Sequence, residues 1–211
     1  MQNFMKFLKL HDLVLRKSTP QRGFTLIELM VTIALLAILS TLAVPSFMQT
    51  IASSRLTTST NDLYATLLQA RSSAISKGQR VTVCKSNTGT NCTTGAGSSW
   101  NDGWITFVDS TRTTATPSVD SGETVSFVAQ ATNAAILIKG NTNVVDYVSF
   151  SADGQSKQML GGFQTGTLRV CSTSTALKDN RRARDLTINI SGRVVVGAPA
   201  TVASATCIAP T

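Results

Sequence analysis

The sequence holds one histidine, His11, and little charge, with Asp, Glu, Lys and Arg together making up 14% of 211 residues. Imidazole-based catalysis is therefore excluded for everything beyond residue 11. Aromatic residues amount to 6%, and two of them are tryptophans, Trp100 and Trp104. Trp104 alternates with Thr106 and Val108, which assigns it to a strand facing a core rather than to a stacking platform for bases or sugars. No Cys-x-x-Cys pair occurs, so the four cysteines do not read as a zinc site. No glycine-rich loop follows a strand to cradle phosphate, and the acids Asp120 and Glu123 fall in loop sequence with nothing nearby to perturb them. These absences describe a chain that is not an enzyme and needs no cofactor.

A further absence is positional. From Phe24 to Val44 the only charged residue is Glu28. At about 1.5 Å per helical residue this run is long enough to cross a hydrocarbon core of roughly 30 Å. Arg16, Lys17 and Arg22 precede it, and the next basic residue is Arg55. That asymmetry places the N-terminus in the cytoplasm and everything after Pro45 beyond the inner membrane. An ordinary secretory signal has a shorter apolar core and no acid within it. A carboxylate at this depth is costly unless a partner neutralises it, which makes Glu28 a candidate functional group.

Past Pro45 the apolar residues become periodic. Phe47, Ile51, Leu56, Leu63, Leu67, Ala70 and Ala74 recur at helical spacing, and Gly78 is a natural stop. The spacing predicts one helix of about 53 residues, roughly 80 Å long. Strands are expected at 80–85, 103–109, 124–129, 135–139, 144–151, 167–172, 185–190 and 193–196, with loops at 86–99, 110–122 and 173–180. In the last pair, Leu186, Ile188 and Ile190 form an inward set that Val194 and Val196 continue across a two-residue Ser191-Gly192 turn.

The net charge of +8 is uneven. Residues 1–23 hold five basic side chains and one acid, 24–168 are balanced, and 169–211 hold six basic against two acidic. Lys178, Arg181, Arg182, Arg184 and Arg193 converge into one cationic surface if the 173–183 loop and the Ser191-Gly192 turn lie at adjacent ends of the sheet. Cys84, Cys92, Cys171 and Cys207 lie in a compartment that permits disulfides, where three connectivities exist. The favoured pairs are Cys84–Cys92, closing a short loop, and Cys171–Cys207, tying down the C-terminal tail.

Gly23-Phe24-Thr25-Leu26-Ile27-Glu28-Leu29 resembles the class III processing site of type IV pilins and pseudopilins. The resemblance implies that a prepilin peptidase cuts after Gly23 and methylates the new amino group of Phe24. Glu28 would then pair with the Phe24 ammonium of a neighbouring subunit. The segments Trp100–Asp109, Val148–Gly154 and Ile190–Val194, behind a long N-terminal helix, resemble the GspH/FimT family of minor pilins and minor pseudopilins. That implies an α+β, type IV pilin-like fold, with residues 1–23 a cleaved leader, 24–51 the transmembrane and assembly half of the helix, and 52–211 a globular head.

The resemblance further implies a minor pilin at the tip or initiation complex of a type IV pilus, or a minor pseudopilin of a type II secretion system. Its partners would be the peptidase, other major and minor pilins and an inner-membrane assembly platform. Some relatives bind double-stranded DNA for uptake through a Gly-Arg-x-Arg element. Here Gly192 and Arg193 match that element, while Val195 stands at the second arginine.

Overall fold

The computed structural model describes residues 23–111, 114–198, 201–203 and 206–210. The leader expected at 1–23 falls outside these residues except for Gly23. Helix α1 (Leu26–Lys77) runs unbroken through Pro45, 52 residues in all. The chain divides into two units between Leu42 and Ala43. In the first unit every described residue is exposed.

The second unit contains the rest of α1 and eight strands: β1 (Val81–Lys85), β2 (Trp104–Val108), β3 (Val125–Ala129), β4 (Ile136–Gly140), β5 (Tyr147–Phe150), β6 (Gly166–Ser172), β7 (Ala183–Ile188) and β8 (Val194–Gly197). They form two antiparallel four-stranded sheets, ordered β3-β2-β1-β5 and β4-β6-β7-β8. All eight lie within a few residues of the expected spans. Long-helix-plus-antiparallel-sheet is the type IV pilin arrangement that the resemblance implied.

One core joins α1 to the inner faces of both sheets, through Leu56, Leu63, Leu67, Ala70 and Ala74 on the helix and Val83, Phe150, Leu168, Val170 and Leu186 on the strands. The apolar stripe of the helix was expected to start at Phe47. It starts at Ala52 instead, because Phe47 and Ile51 precede the part of α1 that the sheets cover and stay 68% and 45% exposed. Trp100 and Trp104 are core residues, and each indole N–H is satisfied: Trp100 Nε1 donates to the Val145 carbonyl at 3.0 Å and Trp104 Nε1 to Thr66 Oγ1 at 3.2 Å. At the end of α1, Gly78 takes a φ of +62° while its N–H bonds Ile75 and that of Gln79 bonds Ala74. This paired arrangement satisfies the last helical carbonyls and is why the helix stops there.

Each disulfide lies on the outer face of a different sheet. Cys84–Cys92 pins the loop after β1 near Ile105 and Phe107. Cys171–Cys207 holds the C-terminal segment near Ala183 and Val202.

The β7–β8 connection differs from expectation. Asn189 pairs with Arg193 and the turn is Ile190-Ser191-Gly192, three residues long. Gly192 at φ +72° supplies the left-handed residue that such a turn requires. Ile190 therefore leaves the inward set and is 47% exposed, and Val196, on the sheet edge, is 41% exposed. The 110–123 loop also corrects a reading. Burial alone would raise the Glu123 carboxyl, but the N–H groups of Asp120, Ser110 and Thr111 and the Ser110 hydroxyl hold it below its ordinary value. The Thr111 and Ser118 hydroxyls likewise lower Asp120. These acids are perturbed, by the loop they fold.

Candidate functional site

Among the described residues, the longest run of exposed large apolar side chains is Phe24 and the first half of α1. Phe24 is 80% exposed, Leu26 76%, Leu42 74% and Phe47 68%. This is the one described helix long and apolar enough to cross a membrane. Its polar groups are turned inward: the hydroxyls of Thr32, Ser40, Thr41 and Thr50 donate to the carbonyls of Leu29, Ala37, Ile38 and Ser46. No hydroxyl in that set needs water, which suits an apolar surrounding.

Thr25 begins the helix. Its Oγ1 accepts the N–H of Glu28 at 3.2 Å and its carbonyl the N–H of Leu29 at 3.1 Å. Thr25 and Glu28 thus stand at the first and last positions of a Thr-x-x-Glu capping sequence, a signal present in the chain but not used above. Glu28 is exposed. A cation brought by another molecule would offset the cost of burying this carboxylate.

The basic residues do not converge as expected. Lys178 and Arg181 are exposed just before β7, and Arg184 is half-buried at its start, with its Nη1 donating to the Ala183 carbonyl at 2.9 Å. Arg193 follows the far end of the same strand, beyond Ile188. At about 3.3 Å per residue, the six residues of β7 put some 20 Å between the two groups. Arg182 is withdrawn altogether. It is 3% exposed, pairs with Asp179 at 2.8 Å, and donates to the carbonyls of Ser174 and Leu177. Its guanidinium holds the 173–181 loop together.

Sequence reasoning missed two residues, one that ties the turn at Gly192 and one that ties the β5 edge. Arg71 Nε donates to the Gly154 carbonyl and Nη2 to that of Ser191, both at 3.0 Å. Gln164, fully buried, takes the Ser149 N–H on its carbonyl and donates to the Asn143 and Tyr147 carbonyls. Arg71, off the apolar stripe of α1, and Gln164 left no signal in the sequence.

The model for the prokaryotic N-terminal methylation motif matches residues 18–44. The model for the type II transport protein GspH matches residues 59–192, more than half the chain. The chain belongs to the GspH family. With the methylation motif ahead of it, this GspH member is a GspH/FimT-like pilin, and the motif implies processing by a prepilin peptidase and other pilins as partners. GspH proteins are structural pilins. No curated protein matches the chain. Among solved structures it is similar to the type IV minor pilin FimU of Pseudomonas aeruginosa in one crystal form, at 19% identity over 70% of this chain and 95% of that one, with a TM-score of 0.49. A second crystal form of FimU gives 20% identity over 67% and 94%, with a TM-score of 0.41.

Proposed function

We propose that this GspH-family chain is a minor pilin: inserted in the inner membrane with its β-rich unit on the periplasmic side, cut after Gly23, methylated on Phe24, and built into the tip or initiation complex of a type IV pilus. The observation that carries this is the exposed apolar run of α1 with Glu28 as its one charge. Lipid covers such a surface before assembly, and the same surface of other subunits covers it afterwards. Glu28 and the Phe24 ammonium of a neighbour, each costly alone in that setting, are tolerable together and fix the axial register. The alternative is a minor pseudopilin of a type II secretion system, a reading supported by the description of the matched family.

Mass spectrometry of the protein from its native host tests the proposal. The expected N-terminus is N-methyl-Phe24. Glu28→Ala should leave leader removal intact and reduce recovery in sheared fibres by roughly tenfold or more, the effect of stranding a buried charge. Retention of residues 1–23, or trimming near Val44, would overturn it. Co-purification with pilus subunits or with secretion-channel components separates the two settings.

Double-stranded DNA is a second ligand class for the same subunit. The observation favouring it is the gathering of Lys178, Arg181 and Arg184 at one end of β7. Arg182 and Arg193 do not join them.

A further inference from the structure

The two edges of the first sheet are finished differently. At β5 the edge is closed: Gln164 bonds the Ser149 N–H and the Tyr147 carbonyl, the Lys157 N–H bonds the Ser149 carbonyl, and Arg80 reaches the Ser149 hydroxyl and the Lys157 and Gln158 carbonyls. At β3 the edge is open. Among the described residues no hydrogen bond beyond the β2 ladder reaches the backbone of Val125–Ala129. Phe127 and Val128 are 39% and 41% exposed. Of the devices that protect natural edges, charge and proline are absent from residues 124–138, and the one present is a register shift at Ser126 in the pairing with β2.

Beside that edge runs a groove of about 700 Å³. Its helical wall is small and polar, with Ser54, Thr58 and Ala65 of α1. Its strand wall is Phe127 and Ala129, and its floor is Trp104. Arg55 and Asp62 are the only charges on it. A second, smaller hollow lined by Gln69, Ser73, Lys77 and Phe127 continues it along α1. Two parallel rails, a helix and a strand with unpaired backbone groups, suit an extended peptide, whose main chain would complete the sheet while its side chains fill the groove.

We infer that the β3 edge and its groove receive an extended, uncharged strand from a neighbouring pilin subunit of different sequence. The inference rests on the minor-pilin reading, and two observations name the occupant. The helical wall of the groove begins at Ser54, just past Phe47, Met48 and Ile51 of the same helix, which are apolar and exposed, so a pilin that covers those residues lies beside the groove. The run 124–138 offers no counter-charge along β3, so the guest residues that pair with this strand are apolar or neutral polar, with Arg55 and Asp62 confined to the helical wall.

The test uses the full chain in its native host, with Phe127 replaced by the similarly shaped photoreactive p-benzoylphenylalanine. A probe at Thr187, on the outer face of β7, sets the background, and one at Ile38 reports assembly. Irradiation should join position 127 to another pilin, identified by mass spectrometry of the adduct. Val128→Lys, a charge on the open edge, should cut that adduct roughly tenfold or more. Val128→Thr, which keeps a β-branched side chain, should preserve it. Leader removal and the Ile38 adduct should persist in both. Pilin adducts from Ile38 with none from 127 would overturn the docking inference and leave the minor-pilin reading standing. No adduct from either position would overturn both. An adduct of twice the chain mass would replace the neighbouring pilin with a second copy, and insensitivity to Val128→Lys would show contact without strand pairing.

Discussion

Gly192 lies against Gly154 so closely that a Cβ on Gly192 would sit 2.0 Å from the Gly154 carbonyl oxygen and 2.9 Å from Arg71 Nε. The two turns are thus stacked backbone to backbone, and Arg71 of α1 binds a carbonyl from each. Glycine at 192 is required twice, for its φ of +72° and for the space. Gly192→Ala should cost about 2–4 kcal/mol. That corresponds to a fall in Tm of roughly 5–15 °C for a domain of this size, read by circular dichroism of the detergent-solubilised protein. Arg71→Ala should cost about 1–3 kcal/mol by leaving the part-buried Gly154 carbonyl unpaired. The double variant should lose less than the sum, and simple additivity would show that the two do not form one clamp.

The disulfides should differ in worth. Cys171–Cys207 spans 36 residues and Cys84–Cys92 spans 8. Loop-closure entropy then gives about 4 kcal/mol for the first and about 2.5 kcal/mol for the second. Chemical denaturation of the Cys171→Ala/Cys207→Ala and Cys84→Ala/Cys92→Ala variants should rank them in that order. The reverse order would mean that the short loop holds the core around Ile105 and Phe107 more strongly than chain entropy allows.

Asp153 should titrate well below the ordinary aspartate value of 3.8. The Ser151 hydroxyl, the Gln155 N–H and the Lys157 ammonium lower its carboxyl from an ordinary 3.8 to about 2. A folded-state value below the unfolded one stabilises the turn above about pH 4, and that contribution is lost as pH falls through about 2. Carbon-detected NMR titration should place the midpoint near 2. Ser151→Ala should move it upward, and an unchanged midpoint would remove the hydroxyl as the leading cause.

Duplex DNA bound at the start of β7 should be held through Lys178, Arg181 and Arg184. Three phosphate contacts give a log–log salt slope of about −3 at most. In a mobility-shift titration the triple alanine variant should flatten that slope, while Arg193→Ala should leave it unchanged. Arg182→Ala should act on stability, because its guanidinium ties the loop carbonyls and Asp179. Absence of binding at low salt would remove DNA from the account.

The parts legible from sequence are those whose physics is local. Gly78 announces the end of α1, alternation marks the strands to within a few residues, and Gly23 to Glu28 carry the processing motif within six positions. The β7–β8 turn was misread by one residue, because Ile190 continues the alternation of Leu186 and Ile188 even though the Gly192 conformation pulls it out of the strand. The supposed convergence of basic residues failed for a different reason. Periodicity says that Arg184 and Arg193 flank a hairpin, but not that they flank its opposite ends. Arg71 and Gln164 could not be read at all, since Arg71 finds its partners 83 and 120 residues away and Gln164 bonds across 15 to 21 residues.

Beside the Lys157 N–H and Arg80, Gln164 ties the β5 edge at both the Ser149 N–H and the Tyr147 carbonyl with one amide, which puts two of the bonds of that edge in a single side chain. Losing it would bare a second sticky border on a sheet that already has one. The expected effect of Gln164→Leu is therefore clumping of the chain through that bared border, a failure of solubility that an interaction assay would misread as a failure of recognition.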